Sequence, residues 1–140
     1  MALRVESALI SFHLHATEDP EKVMKSIEKI LGVQQAAFNI QKLEGHFGNE
    51  IASYTAQLEG MQAQGLFELV VKSLPQIDKH ELLASFEGRV ERNIFLYLRL
   101  DKQKLVLGRI ELGESDPIKL RFRFPKTPPL ELDSFRVMLT

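Results

Sequence analysis

Ile118-Lys119-Leu120-Arg121-Phe122-Arg123-Phe124 is the stretch that decides the fold. Apolar and basic residues alternate along it without a break, the period of a strand with one dry face and one wet face. Leu120 and Phe122 belong to a core, whereas Lys119, Arg121 and Arg123 belong to water. The same rhythm recurs upstream, where Ile94, Leu96, Leu98 and Leu100 alternate with Phe95, Tyr97 and Arg99. Near the N-terminus, Ile10, Phe12 and Leu14 alternate with Ser11, His13 and His15.

Helical spacing separates these strands. Thr17-Glu18-Asp19-Pro20 stops the first strand, and Asp19 can cap a helix with Pro20 in its first turn, where a missing N–H costs nothing. Val23, Ile27, Ile30 and Leu31 form the apolar stripe of that helix, and Gly32 is its natural stop. Phe38 to Glu44 and Ile51 to Leu58 read as two weaker strands joined through Gly45-His46-Phe47-Gly48-Asn49. Met61 to Leu74 is a second helix, ended by Pro75. Asp78 is expected to cap a third, running to about Glu87 and closed by Gly88. Asp101-Lys102-Gln103-Lys104 reads as a polar turn from which Leu105 to Leu112 returns as a strand.

The expected order is therefore β-α-β-β-α-α-β-β-β. Short links between strands favour antiparallel pairing, which makes this an α+β fold with helices packed on one face of an antiparallel sheet. Residues 1–124 are expected to form a single domain. Pro125-Lys126-Thr127-Pro128-Pro129 opens a Pro-rich C-terminal tail, 125–140, which either docks as a short element or stays free.

The chain has no cysteine, so thiolate metal sites and disulfide scaffolds are excluded. It has no apolar run long enough to span a bilayer and no signal-peptide pattern, which leads to the expectation of a cytoplasmic domain. No Gly-rich phosphate loop and no nucleophile elbow occurs, so neither a cofactor nor a catalytic residue is expected. His13-x-His15 places two imidazoles on one side of a strand, but a metal site needs a third ligand that no nearby motif supplies. No metal is expected.

Charge is distributed unevenly. Residues 1–88 carry 7 Lys/Arg against 12 Asp/Glu, whereas residues 89–126 carry 10 against 5. A basic segment inside a chain of net charge −1 suits a polyanion partner; it also suits strand faces that water solvates. Lys119, Arg121 and Arg123 stand roughly 7 Å apart along one strand, close to the phosphate spacing of a nucleic-acid strand. Tyr97 and Phe95, on the side of Arg99, are candidates for stacking on bases or for packing inside the protein.

Five segments occur in an order that resembles a known family. They are Thr17-Glu18-Asp19-Pro20-Glu21-Lys22-Val23, His46-Phe47-Gly48-Asn49, Leu96 through Gln103, Leu107-Gly108-Arg109 and Ser115-Asp116-Pro117-Ile118-Lys119. Together, over about residues 5–124, they resemble a small archaeal family described as predicted RNA-binding and sometimes called exosome-associated. The resemblance implies a fold like the ribosomal protein of the L-five type and a non-catalytic role in RNA processing or ribosome biology. It implies RNA contacts at His46, Asn49, Arg99, Lys102, Gln103, Arg109 and Lys119, to which the strand pattern adds Arg121 and Arg123. The alternative is a protein-interaction or assembly module that keeps this type of fold without binding RNA.

If the strand faces are assigned correctly, Phe122→Ala destabilises the protein by roughly 3–5 kcal/mol, the cost of a buried aromatic. Thermal unfolding measures this, and an unchanged melting temperature would mean that the two faces are exchanged.

Overall fold

The alternating stretches pair into one six-stranded antiparallel sheet in the computed structural model, which describes residues 3–44 and 48–139. In chain order the elements are β1 (Ser7–His15), α1 (Pro20–Ser26), β2 (Phe38–Glu44), β3 (Glu50–Glu59), α2 (Gly60–Ser73), α3 (Gln76–Ala84) and α4 (Phe86–Arg89). There follow β4 (Val90–Glu91), β5 (Phe95–Leu100), α5 (Lys102–Val106), β6 (Ile118–Arg123) and α6 (Leu132–Leu139). The strands lie side by side as β2-β3-β1-β6-β5-β4.

The inward face of the sheet carries Ile10 and Phe12 of β1, Leu120 and Phe122 of β6, and Leu96 and Leu98 of β5, all at most 1% exposed. Helix α2 lies on this face. Its Phe67 meets the rings of Phe122 and Phe124 edge-on, at centroid distances of 5.2 and 5.3 Å. Each such side chain contributes about 1.5–3 kcal/mol through burial. The expected core residues are thus all inside, Ile27 included.

Asp19 caps α1 as expected, its carboxylate accepting from the Glu21 N–H at 3.0 Å. The helix widens into a π-turn over Ile27–Leu31, and Gly32 ends it with φ at +73°. Among the described residues no helix is long and apolar enough to cross a membrane.

Three expectations about the elements need correction. Leu105 to Leu112 is not a strand. The Asp101 carboxylate accepts from the Lys104 N–H at 2.9 Å and caps α5 instead, leaving only an isolated bridge between Leu112 and Leu100. The β5 strand therefore pairs directly with β6, and its other edge takes the two-residue strand β4. Asp78 is not the cap of α3, which starts earlier, after Pro75; its carboxylate accepts from the Leu112 N–H at 3.0 Å. Gly88 does not end that helix either: Ser85 breaks it, and Gly88 lies within α4. Beyond residue 124, Leu130 and Phe135 are buried in the same core, the Phe135 ring 5.4 Å from that of Phe86.

Lys102 is the most consequential departure. Expected as an RNA contact, its side chain is 2% exposed. Its amine donates to the His13 carbonyl at 2.7 Å and to Asp116 Oδ2 at 2.7 Å, and lies 3.0 Å from Glu18 Oε2. One cation thereby ties the end of β1, the turn into α1 and the entry to β6 to the first turn of α5. His15 Nε2 stands 3.4 Å from the same Asp116 oxygen.

The neighbouring Gly113 is required for this closure, because a Cβ there would stand 2.7 Å from Asp101 Cα. That approach lets the Gly113 N–H reach the Arg99 carbonyl at 2.9 Å and fixes the loop carrying Glu114 and Asp116.

Lys102→Met keeps the apolar stem but removes the charge that the Glu18 and Asp116 carboxylates face. Breaking a buried pair in this way costs about 3–5 kcal/mol, and the partial exposure of Asp116, 41%, brings the expected loss to roughly 2–4 kcal/mol. Chemical denaturation measures it; a loss under about 0.5 kcal/mol would contradict the role given to Lys102.

Candidate nucleic-acid interface

Alternation along the strands sends a second set of side chains to the face away from α2, and the pairing register decides which of them meet. Arg123 pairs with Phe95, Arg121 with Tyr97, and Lys119 with Arg99, directly across β6 and β5. On the other side of β6, Ser7, Leu9 and Ser11 of β1 stand opposite Arg123, Arg121 and Lys119. Thr55 of β3 and Asn39 of β2 extend the row of Ser11, and His13 projects beside them.

The result is a basic and aromatic patch over β6 and β5 that grades into hydroxyl and amide groups over β3 and β2. The like-charged pair Lys119–Arg99 opposes sheet formation where it stands, because both cations occupy directly opposite positions. Arg99 is relieved by Glu114, 3.2 Å away, and Arg123 lies 3.7 Å from Glu6. Among the described residues no ion pair reaches Lys119 or Arg121. The Arg121 guanidinium instead lies over the Phe95 ring at 5.0 Å, with that of Arg123 at 6.0 Å. Each such contact is worth about 0.5–1 kcal/mol at an exposed site and holds the cation facing outward.

Helix α4 comes round the β5 edge and brings Gly88 beside Tyr97. Two adjoining hollows of about 310 and 300 Å³ share Gly88, Tyr97 and Arg99. The first is also lined by Leu9, Ser11, Lys119 and Arg121. The second reaches Arg89 and Glu114, which stand 3.9 Å apart.

Of the expected contact residues, Arg99, Lys119, Arg121 and Arg123 come together on this face. Arg109 does not: it pairs with Glu111 at 3.4 Å and lines a hollow in the helix layer with Lys29, Ser73 and Pro75. Gln103 is exposed on α5, which packs against α1. Asn49 is exposed at the tip of the β2–β3 hairpin, beyond the end of the sheet where His15 pairs with Ile51. Lys102 is buried, and His46 lies outside the described residues. Arg89, Ser11 and Glu114 join the site without having been singled out in the sequence. Their neighbours come from other elements, and no local pattern marks them.

His15, Glu18 and Asp116 hold donor atoms within 4.8 Å of one another, a grouping of metal-ligand type. The Lys102 amine already stands between the two carboxylates and supplies the positive charge a metal ion would bring. His13, the other member of the expected histidine pair, is exposed on the open face.

Comparison with known proteins agrees with this architecture. The chain is 30% identical over 132 residues to an RNA-binding protein of Pyrococcus abyssi, covering 90% of this chain and 86% of that protein. An uncharacterized protein of Methanocaldococcus jannaschii is 32% identical over 120 residues, 81% of this chain and 80% of its relative. A solved structure from Sulfolobus solfataricus has the same fold, with a TM-score of 0.77 at 24% identity over 94% of this chain and 96% of that one. Residues 7–124 match the family described as RNA binding, and the chain belongs to that family.

Proposed function

We propose that the open sheet face over β5 and β6 is a non-catalytic RNA-binding surface that holds phosphates through Arg99, Lys119, Arg121 and Arg123. The observation that carries this is the cross-strand juxtaposition of Lys119 with Arg99, next to an Arg121 that pairs with no carboxylate among the described residues. Clustering like charges weakens the sheet locally, and a conflict of that kind between local and global stability is characteristic of a functional surface. Arginine suits the role because its planar fork matches phosphate oxygens. The family description and the name of the Pyrococcus abyssi relative support the same ligand.

The proposal extends, on the sequence resemblance alone, to a place in archaeal RNA processing or ribosome biology, within the cytoplasm and in association with an RNA-processing complex such as the exosome. The likeness to the ribosomal protein of the L-five type belongs to the same proposal. Among the described residues the exposed aliphatic side chains of the sheet, Ile40 and Leu43, lie on β2, far from β5 and β6, so the assembly-module alternative draws nothing from this patch.

Phosphate binding through these side chains makes affinity fall with salt, with a slope of about 0.7 per phosphate neutralised on a single strand. Replacing Arg121 and Arg123 together by Ala weakens binding about equally for all sequences and lowers that slope by about 1–2. Stability falls by no more than about 1–2 kcal/mol, the two guanidinium–ring contacts being lost. Fluorescence anisotropy with labelled RNA at several salt concentrations measures the slope. Unaltered affinity in the double variant would place the RNA elsewhere, and absence of binding at low salt would leave the assembly module as the better account.

A further inference from the structure

The hollow beside Tyr97 gives the proposed surface a second capability. We infer that it receives one unpaired nucleobase, so that the ligand class is single-stranded RNA or an unpaired nucleotide within a folded RNA. This rests on the RNA-binding proposal and sharpens it.

Phosphate binding alone needs only cations on an open surface. The Tyr97 region is built differently. It is concave, at the lower end of the volume range of small-ligand clefts. Its aromatic residue is 37% exposed, and among the described residues its one ring contact is with Phe95, at 6.5 Å. Phe95 is already engaged by two guanidinium groups; Tyr97 is not. Ser11 lines the hollow too, and its hydroxyl, which makes no hydrogen bond to any described residue, can bond a base edge or a ribose hydroxyl. Arg121 and Lys119 line the same hollow and can hold the phosphates that flank a seated base.

These groups match what an unpaired nucleotide presents: a π-face, polar edges and an adjoining phosphate. A duplex keeps its bases stacked inside and offers a wide, shallow minor groove, for which a concave aromatic site has no use.

The test uses three ligands of equal length: a 12-nucleotide single-stranded RNA of mixed sequence, the same strand annealed to its complement, and a strand whose residues are abasic. Wild type is expected to bind the single strand tightest. Tyr97→Ala lowers affinity for it about 5- to 150-fold, the range for one lost base–aromatic stack, while the salt slope stays unchanged and a cooperative melting transition is retained. Tyr97→Phe retains the affinity, which separates stacking from hydrogen bonding.

Intrinsic fluorescence gives a second readout, because the chain has two tyrosines and no tryptophan, and Tyr54 is buried. Quenching by the single strand, after correction for RNA absorbance, is expected in wild type and lost in Tyr97→Ala. Equal or tighter binding of the duplex or the abasic strand, or unaltered binding by Tyr97→Ala, would overturn the base pocket and leave phosphate binding standing. Failure of wild type to bind all three ligands at low salt would refute both.

Discussion

Register is the constraint on which the rest of this molecule depends. A shift of one residue in the pairing of β6 would carry Lys119, Arg121 and Arg123 into the core and Leu120 and Phe122 into water. Burial of Leu120 and Phe122 beneath α2 therefore fixes the basic face as firmly as it fixes the core. The chemistry of the open face is a by-product of the packing on the other side: every apolar residue held inward sends its neighbour outward to a defined partner. Arg121 opposite Tyr97 and Lys119 opposite Arg99 follow from that single choice.

The open end of this arrangement is held by electrostatics. Three of the five segments through which the chain resembles its family converge on the Lys102 amine. Glu18 comes from the first, Lys102 from the strand-turn segment and Asp116 from the last. A fourth, Leu107-Gly108-Arg109, ends α5, with Gly108 at φ +88°. These residues look like a distributed binding motif along the sequence, but in space they form a structural tie. The tie sets where β6 begins and so supports the face that β6 presents.

How much could be read in advance follows from the range of the interactions involved. The strands β1, β5 and β6, the cap at Asp19 and the core residues depend on near neighbours and on period, and all of these are written locally. The burial of Lys102 depends on Glu18, 84 positions away, and on Asp116, 14 positions on, and a polar stretch taken by itself carries no sign of either. The same is true of α5: Asp101 as a turn residue and Asp101 as a cap carry the same signature, and Lys102 turning inward decides between them. The basic face is legible as a list of residues from the alternation alone. Its pairing with Tyr97, and the hollow that α4 closes at Gly88, are not, because sequence proximity offers the segment 105–112 as the partner of β5.

The proposed interface puts RNA on the side of the sheet away from α2. Mapping backbone amide shifts of the isotopically labelled protein during titration with a single-stranded RNA tests this most directly. Shifts concentrated at 95–99, 119–123 and 9–13 are the predicted result. Shifts concentrated in 20–31 and 60–84, with the sheet face unmoved, would contradict it.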